Sequence, residues 1–296
     1  MNESGVPEAL RSGSPALFKR TIALYLKTWR IEAKLAQKDA AKRLDRTIQH
    51  ISNLESGRLP TASDLELLLD LYGKSDRIPF MRELLSAARK AKNWWTALSG
   101  VVPKWFDLFL GLESGASELF AFETVVVHGL LQTRDYAEAV IRGNPNLTDE
   151  EVDKTVEVRI GRQQILDRQN DPVRLWVVLD ESVLHRPYGG AGIMHGQLER
   201  LLEMSERPGV DLQVLKYDAD PTSAQQGGSF KVIKFPTAME GDPGLVYLEL
   251  LSGALYVEKP DEIVHYQRAM PRLQALAADP KTSRGIIKQA MREVTR

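Results

Sequence analysis

The chain has 296 residues, 43% hydrophobic and 27% charged, which is ordinary for a folded protein and suggests two domains at about 100–200 residues each. It has no cysteine, which excludes disulfides, thiolate catalysis and Cys-ligated zinc. Its net charge of −1 is unevenly spread: residues 1–92 hold 17 Lys and Arg against 11 Asp and Glu, and the remainder holds 22 against 29, the basic head and acidic body of a nucleic-acid reader with a partner domain.

Residues 1–15, rich in Gly, Ser and Pro, read as a flexible tail without the charged-then-apolar pattern of a signal peptide. Residues 16–92 read as five short helices. In the first, Ile22, Leu26, Trp29 and Ala33 fall on one face. A second runs from Gln37 to Leu44. A third begins at Thr47, a capping residue, and continues through Ile51 and Leu54 to Gly57, a helix stop. Ser63 and Glu66 form a capping-box pattern before a fourth helix with Leu65, Leu68, Leu69 and Tyr72 inside. A fifth, about Ile78 to Trp94, buries Phe80, Leu84, Leu85 and Ala88.

Beyond Ser99–Pro103 the pattern changes. Helices are expected at about 104–119, 133–142, 149–169, 194–205, 261–278 and 282–295. LWVVLD (175–180) reads as a buried strand. Residues 210–217 and 229–235 alternate as half-buried strands do, and 244–251 and 254–258 flank a hairpin turn at Ser252-Gly253. The fold class is therefore mainly α, with an all-α N-terminal domain (16–92) and an α+β C-terminal domain (93–296).

The stretch AQKDAAKRLDRTIQHISNLESGR (36–58) carries the function. Ala40, Leu44, Ile51 and Leu54 pack two short helices together. Gln37, Gln49, His50, Ser52 and Asn53 are left outward, and Ile48 is apolar at an exposed helix start. Gln and Asn can pair with adenine N6 and N7, and an apolar group can touch a thymine methyl. The spacing of Gln37, Ala41, Leu44, Thr47, Ile51, Leu54, Glu55 and Gly57 resembles the Cro/phage-repressor class of helix-turn-helix, the XRE family, over about residues 20–74.

The resemblance implies a five-helix lambda-repressor-like domain in which Ile48, Gln49 and Asn53 read bases, with His50 and Ser52 on the same helix as further base readers. It implies a phosphate contact by Gln37 through its side chain and backbone N–H, flanked by Lys38, Arg46 and Arg58. It also implies a buried structural ion pair between Arg30 and Glu55. Two residues depart from the family pattern: Asp45 stands where Gly is usual, and Ala36 where a Ser or Thr cap is usual.

From Trp94 to Glu293 the chain resembles the C-terminal domain of actinobacterial regulators described as antitoxin-like. The motifs are Trp94-Trp95, VPKWFDLFLGLES (102–114), Gly129 to Tyr136, Arg159 to Gln163, LDESVLHRP (179–187), 197–201 and 247–249. The resemblance implies a small partner protein; the alternative to a regulator is an antitoxin-like protein whose main role is to neutralise that partner.

His50, His128, His185, His195 and His265 show no metal spacing, no P-loop or G-x-S-x-G occurs, and the glycines 189–196 lack dinucleotide spacing. No metal, cofactor or catalytic role is expected. Trp94, Trp95, Trp105, Phe106 and Phe109 either pack the interior or line a pocket; Arg89, Lys90 and Lys92 either touch phosphates or face solvent. The expected protein is a cytoplasmic, nucleoid-associated homodimer on double-stranded operator DNA, since one small module buries little surface. A small partner protein or a small-molecule effector would act on its C-terminal domain. With no run of about 18 apolar residues, no membrane partner is expected.

Overall fold

The computed structural model describes residues 13–98, 100–169, 171–220, 223–236, 239 and 241–294. The chain forms two compact units, Met1–Thr96 with Pro236–Asp242, and Ala97–Phe235 with Pro243–Arg296. Most of the expected tail lies outside the described residues, but its last two positions are structural: the Ser14 hydroxyl accepts from the Leu17 N–H at 3.2 Å and Pro15 opens the first helix.

The first unit has helices α1 (Pro15–Glu32), α2 (Gln37–Leu44), α3 (Ile48–Leu54), α4 (Ala62–Leu71) and α5 (Ile78–Lys90). Leu17, Phe18, Ile22 and Leu26 of α1, Ile51 of α3, Leu65 and Leu68 of α4 and Met81 of α5 are all buried, where α1 packs on α5, α2 on α3 and α4, and α4 on α5. α2 ends at Asp45, which takes φ +53° and ψ +50°, so the residue standing for Gly does adopt the left-handed turn. At Ala36 the Asp39 carboxylate accepts from the Ala36 N–H at 2.8 Å, half of a capping box without the cap hydroxyl. Thr47 caps α3 through the His50 N–H at 3.2 Å. Gly57, at φ +102°, turns the chain where an L side chain would be strained.

Two expectations are corrected in this unit. α4 is capped by Thr61, whose hydroxyl accepts from the Asp64 N–H at 3.0 Å, so Ser63 lies inside the helix. α5 stops at Lys90, with Met81 rather than Phe80 fully buried. From Pro236–Asp242, Asp242 takes Arg20 of α1 in two parallel hydrogen bonds of 2.8 Å each. That pairing spans 222 residues and was invisible to local pattern.

The second unit is built on a six-stranded sheet, β1 (Glu118–Glu123), β2 (Arg174–Asp180), β3 (Val210–Leu215), β4 (Phe230–Lys234), β5 (Leu245–Leu250) and β6 (Gly253–Val257), in the order β3-β2-β1-β4-β5-β6. β3, β2 and β1 run parallel; β1–β4, β4–β5 and β5–β6 are antiparallel. The helices are α6 (Lys104–Glu113), α7 (Arg134–Ile141), α8 (Asp149–Gly161), α9 (Ala191–Met204), α10 (Pro260–Leu276) and α11 (Pro280–Val294), with one further helical turn at Ser223–Gln226.

α10 lays Ile263, Met270 and Leu273 on the face carrying Phe122, Val178, Val232 and Val246. Here β1 is the main correction: the expected helix 104–119 ends at Glu113, and ELFAFE becomes a strand inside the sheet. The helix expected to reach 169 gives way after Gly161 to a 3-10 segment, Arg162–Asp167. The hairpin pairs Leu250 with Gly253, so its turn is Leu251-Ser252 rather than Ser252-Gly253. Among the described residues no helix is long and apolar enough to cross a membrane.

Candidate nucleic-acid interface

The candidate interface is the exposed face of α3 with the start of α2. Successive helical residues are rotated by about 100°, so with Ile51 and Leu54 buried, Ile48, Gln49, Ser52 and Asn53 fall on the opposite side. Ile48 is 54% exposed, so this face presents an apolar group beside the amides. Gln49 Nε2 donates to Asn53 Oδ1 at 3.0 Å, which aligns two amide side chains one turn apart. Lys38, Arg46 and Arg58 are exposed.

Two expected contact residues are placed differently. His50 sits on the flank of α3 and turns toward α4, its Nε2 buried without a hydrogen-bond partner and 3.9 Å from Asp64 Oδ2. It is not on the face that carries Gln49 and Asn53. The Gln37 side chain donates from Nε2 to Glu55 Oε2 at 2.8 Å, so its amide nitrogen is engaged inside the protein. Its backbone N–H stands in the first turn of α2, where no carbonyl of the same helix can reach it.

Behind this face lies the ion pair. Arg30 Nε meets Glu55 Oε1 at 2.6 Å, Arg30 Nη2 meets Glu55 Oε2 at 2.9 Å, and Arg30 Nη1 donates to the Leu35 carbonyl at 2.8 Å. The hydrogen bond to Glu55 raises the Arg30 pKa above its ordinary value. The pair ties α1, the α1–α2 turn and the C-terminus of α3 into one block, which fixes the angle at which α3 is presented.

The second unit holds a polar cluster that residue patterns missed. Glu113, Glu123, His128 and Arg162 are all at most 5% exposed. Lys231 Nζ lies 3.0 Å from Glu123 Oε1, and Arg162 Nε lies 3.5 Å from Glu113 Oε2. Burial raises the pKa of both glutamates and lowers that of His128 well below the usual histidine value; burial also brings Arg159 down to about 10.

Two of the motif stretches meet here. Arg159 Nη1 donates to Gln132 Oε1 at 2.9 Å, and Gln163 Nε2 donates to the carbonyls of Gly129 and Gln132 at 3.1 and 2.8 Å. A third stretch joins through Gln197, whose Nε2 donates to the Leu131 carbonyl at 2.9 Å. A Cβ at Gly129 would meet the Arg162 guanidinium, so a larger residue there would force that buried side chain to shift. The only signal in the sequence was this recurrence of Gln and Arg in the quoted motifs; the partners Glu113, Glu123 and Lys231 come from other elements.

Comparison with known proteins agrees with this division. No curated protein and no solved structure matches the chain. Residues 21–77 match a helix-turn-helix domain, the segment that holds α2, α3 and the contact face. Residues 106–289 match the domain of unknown function DUF5753, and the chain therefore belongs to the DUF5753 family, with a helix-turn-helix domain at its N-terminus.

Proposed function

We propose that the protein is a sequence-specific DNA-binding transcription regulator of the XRE type, in the actinobacterial antitoxin-like group, working in the cytoplasm. The observation that carries this is the outward face of α3, where Ile48, Gln49, Ser52 and Asn53 lie together with exposed Lys38, Arg46 and Arg58 nearby. Amide side chains backed by cations are the chemistry of a helix in the major groove: the cations hold phosphates and the amides discriminate base edges. Gln37 serves through its backbone N–H at the start of α2, where an anion is favoured. Catalysis has no part in this reading.

The protein acts as a homodimer, because paired helix-turn-helix modules read half-sites about one DNA turn apart. The surface best suited to a second copy is the β5–β6 hairpin. Its outer strand β6 is a sheet edge, and Leu250, Leu251 and Leu255 are 58%, 106% and 51% exposed. An unpaired edge beside exposed leucines is a template for strand pairing about a two-fold axis. The second unit receives the signal, from a small molecule or a small partner protein. A genome-wide binding footprint tests the proposal: a small set of sites sharing a two-fold sequence is the expected result, and uniform coverage would contradict it.

A further inference from the structure

The sheet and α10 do not close completely over one another. Between β1, β4 and α10 lies a half-open cavity of about 220 Å³. Phe120 and Val232 line it from the sheet, Met270 and Pro271 from the helix. Gln267 and Gln274 add polar groups to the helix side. Gln274 Nε2 is shielded from solvent and has no hydrogen-bond partner among the described residues, an unfavourable state for an amide.

No neighbour can relieve it easily. The Gln213 amide is engaged elsewhere: its Oε1 accepts from Trp176 Nε1 at 2.8 Å, and its Nε2 donates to the carbonyls of Gln274 and Ala278 at 3.1 and 3.0 Å. Pro271 lies inside α10 and has no N–H, so the Gln267 carbonyl one turn earlier loses its helical donor. The cavity is thus lined by Gln274, with an unpaired side-chain donor, and by Gln267, whose carbonyl lacks its α-helical donor.

Of the lining residues only Lys234 is charged, and it is already neutralised. Its Nζ lies 2.9 Å from Glu118 Oε2 and 4.9 Å from the centre of the Phe120 ring. An ionic ligand would find no free counter-charge. An apolar cavity of about 150 Å³ accepts a benzene ring, so this one has space for a ring with one substituent.

We propose that this cavity binds a small neutral molecule, a single planar ring carrying a carboxamide-like group. The ring packs against Phe120, Met270 and Pro271; the half-buried Gln274 side chain turns so that its Nε2 donates to the ligand's carbonyl oxygen, and the ligand's N–H donates to the Gln267 carbonyl. The proposal rests on the reading of the second unit as the sensing part of a regulator and names the chemistry that it senses.

Calorimetric titration of the full-length protein with benzamide and with benzoate, without DNA, tests the site. The expected result is saturable binding of benzamide and at least about tenfold weaker binding of benzoate. Gln274→Leu removes the donor and is expected to weaken benzamide about tenfold, roughly the loss of one hydrogen bond. Val232→Leu, which fills space without touching a polar group, is expected to weaken it as well; circular dichroism confirms that each variant is folded.

No saturable benzamide binding, equal affinity for benzoate, or full binding in both folded variants would each overturn the proposal. Failure here leaves DNA recognition standing, because no DNA is present in the titration. Loss of DNA recognition with benzamide binding intact would instead overturn the function proposed above.

Discussion

Glu55, at the C-terminus of α3, holds Arg30 of α1 in two parallel hydrogen bonds of 2.6 and 2.9 Å, and Gln37 of α2 at 2.8 Å. One carboxylate thereby joins three helices. Removing it leaves a largely buried guanidinium without its partner. Glu55→Ala is expected to lower stability by about 3–5 kcal/mol, read as a fall in the denaturation midpoint by urea titration. A change under 1 kcal/mol, roughly the value of an exposed pair, would show that the block is not held this way.

Gln49 and Asn53 hydrogen-bond to one another before any DNA arrives. Each single alanine variant should weaken binding to the specific site by about 1–3 kcal/mol and leave binding to random DNA unchanged. Because each amide positions the other, the double variant should lose less than the sum of the two. Fluorescence anisotropy of the wild type, both single variants and the double variant, each on a specific and a random duplex, measures the eight affinities.

Asp45 occupies the left-handed turn that glycine fills without strain. Asp45→Gly is expected to raise stability by up to about 1 kcal/mol, and Asp45→Ala to lower it by a similar amount. Thermal unfolding of the two variants checks the opposite signs. Gain in both would mean that the turn does not constrain the domain.

His128 and Glu113 should give opposite pH signatures. Burial lowers the His128 pKa from 6.5, so the folded state keeps it neutral while the unfolded chain gains a proton as pH falls through that value. Stability due to His128 is present above pH 6.5 and is lost on acidification, at up to about 1.4 kcal/mol per pH unit. Burial raises the Glu113 pKa above 4.5, so its contribution is full below pH 4.5 and is lost as pH rises through the raised value. Subtracting the stability-against-pH curves of His128→Gln and Glu113→Gln from wild type should give slopes of opposite sign: a loss on acidification below pH 6.5 for His128 and a loss as pH rises above 4.5 for Glu113.

Leu251 is wholly exposed at the tip of the β5–β6 hairpin. If that edge joins two copies, Leu251→Lys places two like charges at the interface and should convert dimer to monomer with the fold intact. Sedimentation equilibrium reads the mass directly. An unchanged dimer would assign the contact to another surface.

The first unit was legible because its information is local. Thr47, Gly57 and the spacing of Ile51 and Leu54 specify α3 almost to the residue, and the left-handed Asp45 followed from the position of a missing glycine. The caps were less clear where several hydroxyls compete: Thr61 and Ser63 stand two residues apart, and only the turn geometry selects Thr61. His50 read as outward because a polar ring at an exposed helix start has no local reason to turn inward; Asp64, fourteen residues on, supplies it.

In the second unit, β1 escaped notice since ELFAFE follows an apolar-rich helix and its glutamates and alanine are poor strand formers. Its pairing with β2 and β4, 56 and 116 residues away at Glu118, decides its structure. The cluster of Glu113, Glu123, Arg162 and Lys231 is non-local in the same way.

The most direct test of DNA recognition is a salt titration of the purified full-length protein against a duplex from its genomic footprint and a random duplex. The account predicts at least about 10³-fold preference for the footprint site. It predicts affinity that falls steeply with added salt as Lys38, Arg46 and Arg58 release counterions, and loss of the preference in Asn53→Ala. Equal affinity for both duplexes, or no binding to either at low salt, would contradict it.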